Sequence, residues 1–350
     1  MVNWEDYVRS RMNVLLSLSV GSAVALAVAA QPLFAQEKKK VGYLATPLTN
    51  LYASALSASV QKYGAEQGFD MLPSKEGQTY EAAEQVNNMN TMIDAGVQGI
   101  MIQIADGKGL KVALDKAEAA NVPVVTVDTS PDAGYGNPYM MVQVASDALG
   151  AQGCEALGKA MGGKGKVLEL QGSFQQQVGL LRSKGFNDCM AAKFSDIEVV
   201  QRQAEWSPDK SASITETVMS TDPDVNGVFM AGDSVYVNSV INVLRRLDRL
   251  KKVGEEGHVA ISGIDGDPAA LQGIRDGYVD AIVAQPLVGY GKWGAYYLKA
   301  AFEGKTFKPG PTDHDSEIIQ VGDNLADILQ ATVVTKENVD SPDLWANLKP

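Results

Sequence analysis

"VVTVDTSPDA", Val124 to Ala133, runs through three valines and a threonine and stops on a carboxylate, Asp128. A strand buried on both faces of a parallel sheet reads this way, because polar alternation disappears when both sides are covered. Alone, an Asp after a strand is an ordinary turn cap. The stretch has a counterpart, however. "AISGIDGDPA", Ala260 to Ala269, ends an apolar strand on Asp265 and follows it with an acid, a proline and an alanine at nearly the same offset. Ahead of the two lie "IMIQIAD" (Ile100–Asp106) and "VFMAGDS" (Val228–Ser234), each followed by a helical pattern. The echo predicts two lobes of one topology. Ligands of open parallel sheets bind outside the carboxyl ends of the strands. Asp128 and Asp265 are therefore expected to face one cleft, one from each lobe.

Working outward, the chain alternates short apolar strands with amphipathic helices. "KVGYLAT" reads as a strand, Ala53 to Gln67 as a helix, "GFDMLPS" as a strand and Tyr80 to Ala95 as a helix. "GIMIQIA", "PVVTVD" and "YMMVQVA" are strands, with a helix from Gly109 to Ala120 between the first two. The cycle restarts with helix Ala148 to Met161, strand "KVLELQG", helix Val178 to Phe194 and strand "IEVVQRQA". Helices Asp209 to Ser220, Ser234 to Leu250 and Pro268 to Asp276 then interleave with "NGVFMAG", "HVAISGID" and "VDAIVAQP". The fold class is α/β, two doubly wound parallel-sheet lobes.

The chain has 350 residues, 45% of them hydrophobic, and a formal net charge of −12. That length favours two domains. An acidic chain whose one basic cluster beyond the leader, Arg245-Arg246 to Lys251-Lys252, reads as a solvated helix face is a poor nucleic-acid binder. Arg9 and Arg11 precede the apolar run "MNVLLSLSVGSAVALAVAAQPLFA", which ends in small residues. Residues 1–35 are expected to be a signal peptide cleaved after Ala35, with translation starting nearer Met12 than Met1 because Glu5 and Asp6 are foreign to a positive leader. A retained anchor is the alternative, but Gln31-Pro32 interrupts a core already short for a span. Export permits Cys154 and Cys189, the whole cysteine complement, to pair. Two buried thiols remain the alternative, since neighbouring helices need not bring their Cα atoms close enough.

Catalytic patterns are missing. His258 and His314 stand apart from the cysteines, so neither zinc spacing nor a Cys–His nucleophile can be argued. No G-x-S-x-G elbow occurs. "GKAMGGKG", Gly158 to Gly165, resembles a phosphate loop only superficially, because Gly165 replaces the hydroxyl residue and the loop precedes a strand. What the strand ends supply suits hydroxyls: Asn50 and Tyr52, then Asp128, Asp233, Asp265 and Gln285, with Arg182 on a helix and Trp206 after a strand. Carboxylates and amides accept from and donate to vicinal hydroxyls, Arg adds charged donors, and aromatic faces cover sugar C–H faces. Tyr52 and Trp206 equally suit a core, and Asp233 equally suits an N-cap.

The elements "LTNLYAS", "VPVVTVD", "VASDALGAQ", "KVLELQGS", "LLRSKGF", "PDVNGVFMAGD", "ISGIDGDPA" and "AIVAQP" stand in the order and spacing of a known family. From Lys40 to about Val321 the chain resembles periplasmic sugar-binding proteins of the ribose-binding type, which feed ABC importers. The resemblance implies a type I periplasmic binding protein fold, its lobes joined by crossings near Gln143–Ser146, Gln285–Leu287 and Asp313–Glu317. The lobes would be residues 36–143 plus 286–313 and 144–285 plus 314–330, with helix Val288 to Phe302 returning to the first. The tail, 331–350, would pack on a lobe through Leu344 and Trp345. The implied ligand set is Asn50, Tyr52, Asp128, Arg182, Trp206, Asp265 and Gln285, and Thr129 and Asp233 join it as candidate ligand residues of this chain. Three departures accompany it: Thr129 replaces an Arg, Ala53 an aromatic, and Gly232 an Asn. Together they would vacate space that admits a different or larger sugar or polyol, with water or Asp233 taking over a contact, so ribose itself is not implied.

The expected function is capture of a monosaccharide or sugar alcohol and its delivery to an ABC permease, without catalysis or cofactor. A monomer is expected, with a chemoreceptor as a further conceivable partner. The rivals are a secreted glycosidase using Asp128 and Asp265, the same fold holding a non-sugar or signalling solute, and a repressor. The last would need a DNA-binding headpiece, whereas the N-terminus reads as a signal peptide with no helix-turn-helix.

Overall fold

The computed structural model describes residues 37–348; the expected signal peptide lies outside them. Strands β1 (Lys40–Ala45), β2 (Asp70–Met71), β3 (Lys75–Glu76), β4 (Gly99–Ile102), β5 (Val124–Val127) and β6 (Met140–Gln143) alternate with helices α1 (Leu51–Glu66), α2 (Ala82–Asp94) and α3 (Lys111–Ala119). They pair in parallel in the order β2-β1-β4-β5-β6, with β3 also on β1. The expected strand "GFDMLPS" is thus shortened to Asp70–Met71, ending before Pro73, which has no amide hydrogen to give a ladder, and β3 begins just beyond it.

After β6 the chain crosses to a second sheet. Helix α4 (Ser146–Ala160) packs on it and is followed by β7 (Lys164–Gln171), α5 (Gln177–Lys193), β8 (Asp196–Gln203), α6 (Pro208–Thr221), β9 (Val225–Met230), α7 (Asp233–Arg246), β10 (Ala260–Asp265), α8 (Pro268–Asp276) and β11 (Ala281–Ala284). Their order, β8-β7-β9-β10-β11, repeats that of the first sheet. Helix α9 (Leu287–Phe302) crosses back and packs on α1, β4, β5 and β6. The central strands β4, β5, β10 and β11 are buried along their whole length, which is why their sequences carry no alternation.

The third crossing lies elsewhere than expected. Strands β12 (Gly310–Pro311), β13 (Glu317–Val321) and β14 (Asn324–Ile328) extend the first sheet, with β14 parallel to β6. Residues 314–328 therefore belong to the first lobe, and the crossing falls between β14 and β15 (Thr332–Val334), which joins β11 antiparallel in the second sheet. A buried carboxylate is the reason. Asp327 accepts hydrogen bonds from Tyr297 on α9 (3.1 Å) and His314 (2.9 Å), and from Ser316, so β14 is tied to the first lobe's returning helix. The tail is likewise part strand, and Leu344 and Trp345 are buried.

Helices α4 and α5 meet backbone to backbone. A Cβ on Gly150 would stand 2.0 Å from the Arg182 carbonyl oxygen, and one on Gly185 would stand 1.9 Å from that of Asp147. This approach brings Cys154 and Cys189 to a Cα–Cα distance of 6.2 Å, and they are bonded as a disulfide. Bridge and glycines together hold α5, which carries Arg182, against α4.

Candidate functional site

Each sheet has a switch point, between β1 and β4 in the first lobe and between β7 and β9 in the second, where ligand crevices form. The two crevices face each other across a cavity of ≈ 50 Å³. Nearly every strand end around them contributes a lining side chain.

From the first lobe come Asn50 and Tyr52 at the start of α1, and Asp128 and Thr129 after β5. Asn50 is the N-cap of α1, its Oδ1 accepting from the Tyr52 amide at 2.8 Å. The Tyr52 hydroxyl donates to Asp128 Oδ1 at 3.1 Å, and Gln103 Nε2 donates to Oδ2 at 2.7 Å. Asp128 has φ 65°, a left-handed conformation that Asp tolerates better than most residues. Burial pushes its carboxyl up to about 6, although Arg182 and the two donors pull the other way. Thr129, standing where the ribose type has Arg, turns its hydroxyl onto the Ile104 carbonyl at 2.8 Å.

From the second lobe come Arg182, Trp206, Asp265 and, at the second crossing, Gln285. Asp265 Oδ1 accepts from Gln285 Nε2 (2.7 Å) and Arg182 Nη1 (3.3 Å), and its Oδ2 accepts from Ser234 (2.6 Å). Burial raises the Asp265 carboxyl, with Arg182 opposing. Burial also works against the Arg182 cation, but Asp265 and Asp128 outweigh it and hold the guanidinium above its ordinary value. Arg182 Nη1 also donates to the Ala231 carbonyl at 2.7 Å, while its buried Nε has no partner in the protein.

Trp206 is neither a simple core residue nor a loose platform. Glu205 and Trp206 both have positive φ, 52° and 57°, a conformation bulky residues rarely adopt unless held. The Tyr236 hydroxyl accepts from the Trp206 amide at 2.8 Å, and Gln176 Oε1 accepts from the indole at 2.6 Å. A Cβ on Gly172 would stand 2.1 Å from the ring, and one on Gly232 would stand 3.0 Å from it. Gly232 therefore does not vacate space as expected. The indole stands in it, and a side chain there would require the ring to give by a few tenths of an ångström.

Asp233 is a second correction. It is fully buried, does not line the cavity, and accepts from the Gly266 and Asp267 amides at 3.0 and 2.8 Å. It clamps the turn that follows Asp265, with both carboxylate oxygens turned to backbone amides. The polar lining residues that sequence reasoning missed are Thr46, Gln103, Gln176, Ser234 and the half-buried Tyr80. Ser234 lies beside the singled-out Asp233, and Gln103 interrupts the apolar run "IMIQIA"; each is a local signal. Gln176 and Tyr80 sit in loops whose composition marks nothing. Among the described residues no His, Cys, Asp or Glu cluster suits a metal ion.

Residues 41–306 match the family model of the periplasmic binding protein domain. The chain is 25% identical over 286 residues to the ribose import binding protein of Bacillus subtilis, covering 79% of this chain and 88% of that one. It is 27% identical over 270 residues to the D-apiose import binding protein of Paraburkholderia graminis, covering 76% and 78%. A solved ABC transporter solute-binding protein from Burkholderia graminis, in complex with D-arabinose, shares the fold with a TM-score of 0.75 at 23% identity, covering 87% of this chain and 97% of that one.

Proposed function

This chain belongs to the periplasmic binding protein domain family, a family of solute-binding transport components rather than enzymes, and from that premise we propose that it captures a neutral monosaccharide or sugar alcohol between its lobes. One observation carries the proposal. Strand-end carboxylates from both lobes, Asp128 and Asp265, line a single cavity together with a guanidinium, amides and aromatic rings. A carboxylate offers about four acceptor sites. Asp128 spends two on protein donors and keeps the rest for hydroxyls. Arg182 Nε, buried without a partner, calls for an acceptor that the ligand would bring. A polyhydroxyl compound meets both needs at once.

The ligand residues would be Asn50, Tyr52, Asp128, Thr129, Arg182, Trp206, Asp265 and Gln285, with Gln103 and Gln176 added. The protein would be exported and would hand its ligand to an ABC permease, in keeping with the import roles in its relatives' names. Calorimetry against pentoses, hexoses and polyols tests the proposal, using protein unfolded and refolded to strip carried ligand. Binding by a polyhydroxyl compound is expected. Binding by no member of the panel would overturn it.

A further inference from the structure

The family match ends at residue 306, yet the chain beyond the third crossing reaches the cleft. Strand β15 lays this strap on the edge of the second sheet, and Arg275 on α8 clasps its return. Arg275 Nε donates to Asp340 at 2.8 Å, and its Nη2 donates to the Val339 carbonyl at 3.0 Å and to Asn347 at 2.8 Å. Asn347 donates back to the Val339 and Ser341 carbonyls, both at 2.8 Å. The clasp presents a short 3₁₀ turn, Trp345–Asn347, whose tryptophan is buried.

Trp345 makes two contacts of consequence. Its indole N–H donates to the Asp265 main-chain carbonyl at 2.8 Å. The same oxygen accepts from the Gln285 amide at 3.1 Å. Asp265 has φ 130°, a conformation that L side chains rarely adopt and that persists only where its surroundings over-determine it. Asp233 holds the turn from one side through the Gly266 and Asp267 amides; Trp345 holds the carbonyl. The second contact crosses between lobes. The Trp345 ring meets Tyr52 edge to face, with centroids 5.9 Å apart at 82°, and Tyr52 is the residue whose hydroxyl reaches Asp128.

We propose that Trp345 is a positioning residue of the cleft, setting the backbone turn that presents Asp265 and bracing the Tyr52 ring that presents its hydroxyl to Asp128. It does so from 80 residues away in sequence and without lining the cavity. The strap thereby makes ligand affinity depend on a segment outside the family match. The affinity part of the proposal rests on the capture function; the backbone part does not.

Trp345→Phe keeps an aromatic edge and removes the indole N–H, whereas Trp345→Ala removes both. Amide hydrogen exchange in the unliganded protein, read at Gln285 and Gly266, is expected to quicken at least fivefold in Trp345→Phe while β7 amides stay unchanged. For any of D-ribose, D-arabinose, xylitol or myo-inositol that the wild type binds, affinity should fall about fivefold in Trp345→Phe and thirtyfold or more in Trp345→Ala. Arg275→Ala, which leaves the indole intact but frees its clasp, should fall between them. Unchanged exchange at Gln285 and Gly266 in Trp345→Phe would overturn the proposal. If the wild type bound none of the four while exchange still quickened, the capture function would be the claim in difficulty, and the positioning role would stand.

Discussion

Asp128 and Asp265 hold equivalent places in two copies of one topology, both at positive φ, yet the protein treats their charges differently. Asp265 has a cation against it, Arg182, together with Ser234 and Gln285. Asp128 is met in its own lobe only by the neutral donors Tyr52 and Gln103. Burial raises both carboxyls, but a guanidinium in contact anchors one ionised form and merely assists the other from across the cleft. Two copies of a strand end thus give a carboxylate paired with a cation on one side and one met only by neutral donors on the other.

Removing the cation breaks the comparison most severely. Arg182→Met should leave Asp265 buried without its counter-charge and cost about 3–5 kcal/mol in chemical denaturation, with ligand binding lost in calorimetry. The lobes also differ in covalent bracing, since the only disulfide among the described residues joins α4 to α5 in the second. Replacing Cys154 and Cys189 by Ser should cost about 2–4 kcal/mol. Limited proteolysis of that variant should cut the second lobe before the first; cleavage in the opposite order would contradict this account.

Asp128→Asn sharpens the comparison from the other side. The amide keeps the shape but sets an N–H against one donor, for a loss of about 1–3 kcal/mol at neutral pH. Its pH signature is more telling. A carboxyl raised to about 6 in the folded protein holds its proton where the unfolded chain has lost it. The part of its contribution that comes from the bound proton is complete below the ordinary value of 3.8 and is lost as pH climbs through about 6. Asp267, the N-cap of α8, is raised to about 6 by burial and slopes the same way. Denaturation midpoints measured between pH 4 and 7 should therefore fall less steeply in Asp128→Asn, without becoming flat. The smallest effect expected is that of Asn50→Ala, about 1 kcal/mol for a lost helix cap. A thermal melt that does not move would remove the capping role.

Much of the fold was legible because its cause is local. A strand covered on both faces must be apolar throughout, a helix on the sheet must carry one apolar stripe, and both patterns can be counted along the chain. The strand-end acids were legible for the same reason, since a carboxylate directly after a buried strand can only sit at the sheet's carboxyl edge. Asp233 was misjudged where two local roles looked alike. A buried acid opening a helix binds ligand or clamps backbone, according to which amides lie opposite, and those of Gly266 and Asp267 arrive from another loop. The third crossing was misplaced because "EIIQV" and "NLADI" would suit an edge of either sheet; the bonds to Asp327 decide for the first.

By itself, then, the sequence determined the alternation of elements, the doubling of the lobe and the two facing acids, all set by neighbours within a few residues. Only the tertiary structure decided that Cys154 meets Cys189, that Trp206 fills the space beside Gly232, and that Trp345 reaches Asp265. Those outcomes depend on how closely separate elements approach. That distance is set by glycines and side-chain volumes on both partners at once, and no single stretch of chain contains it.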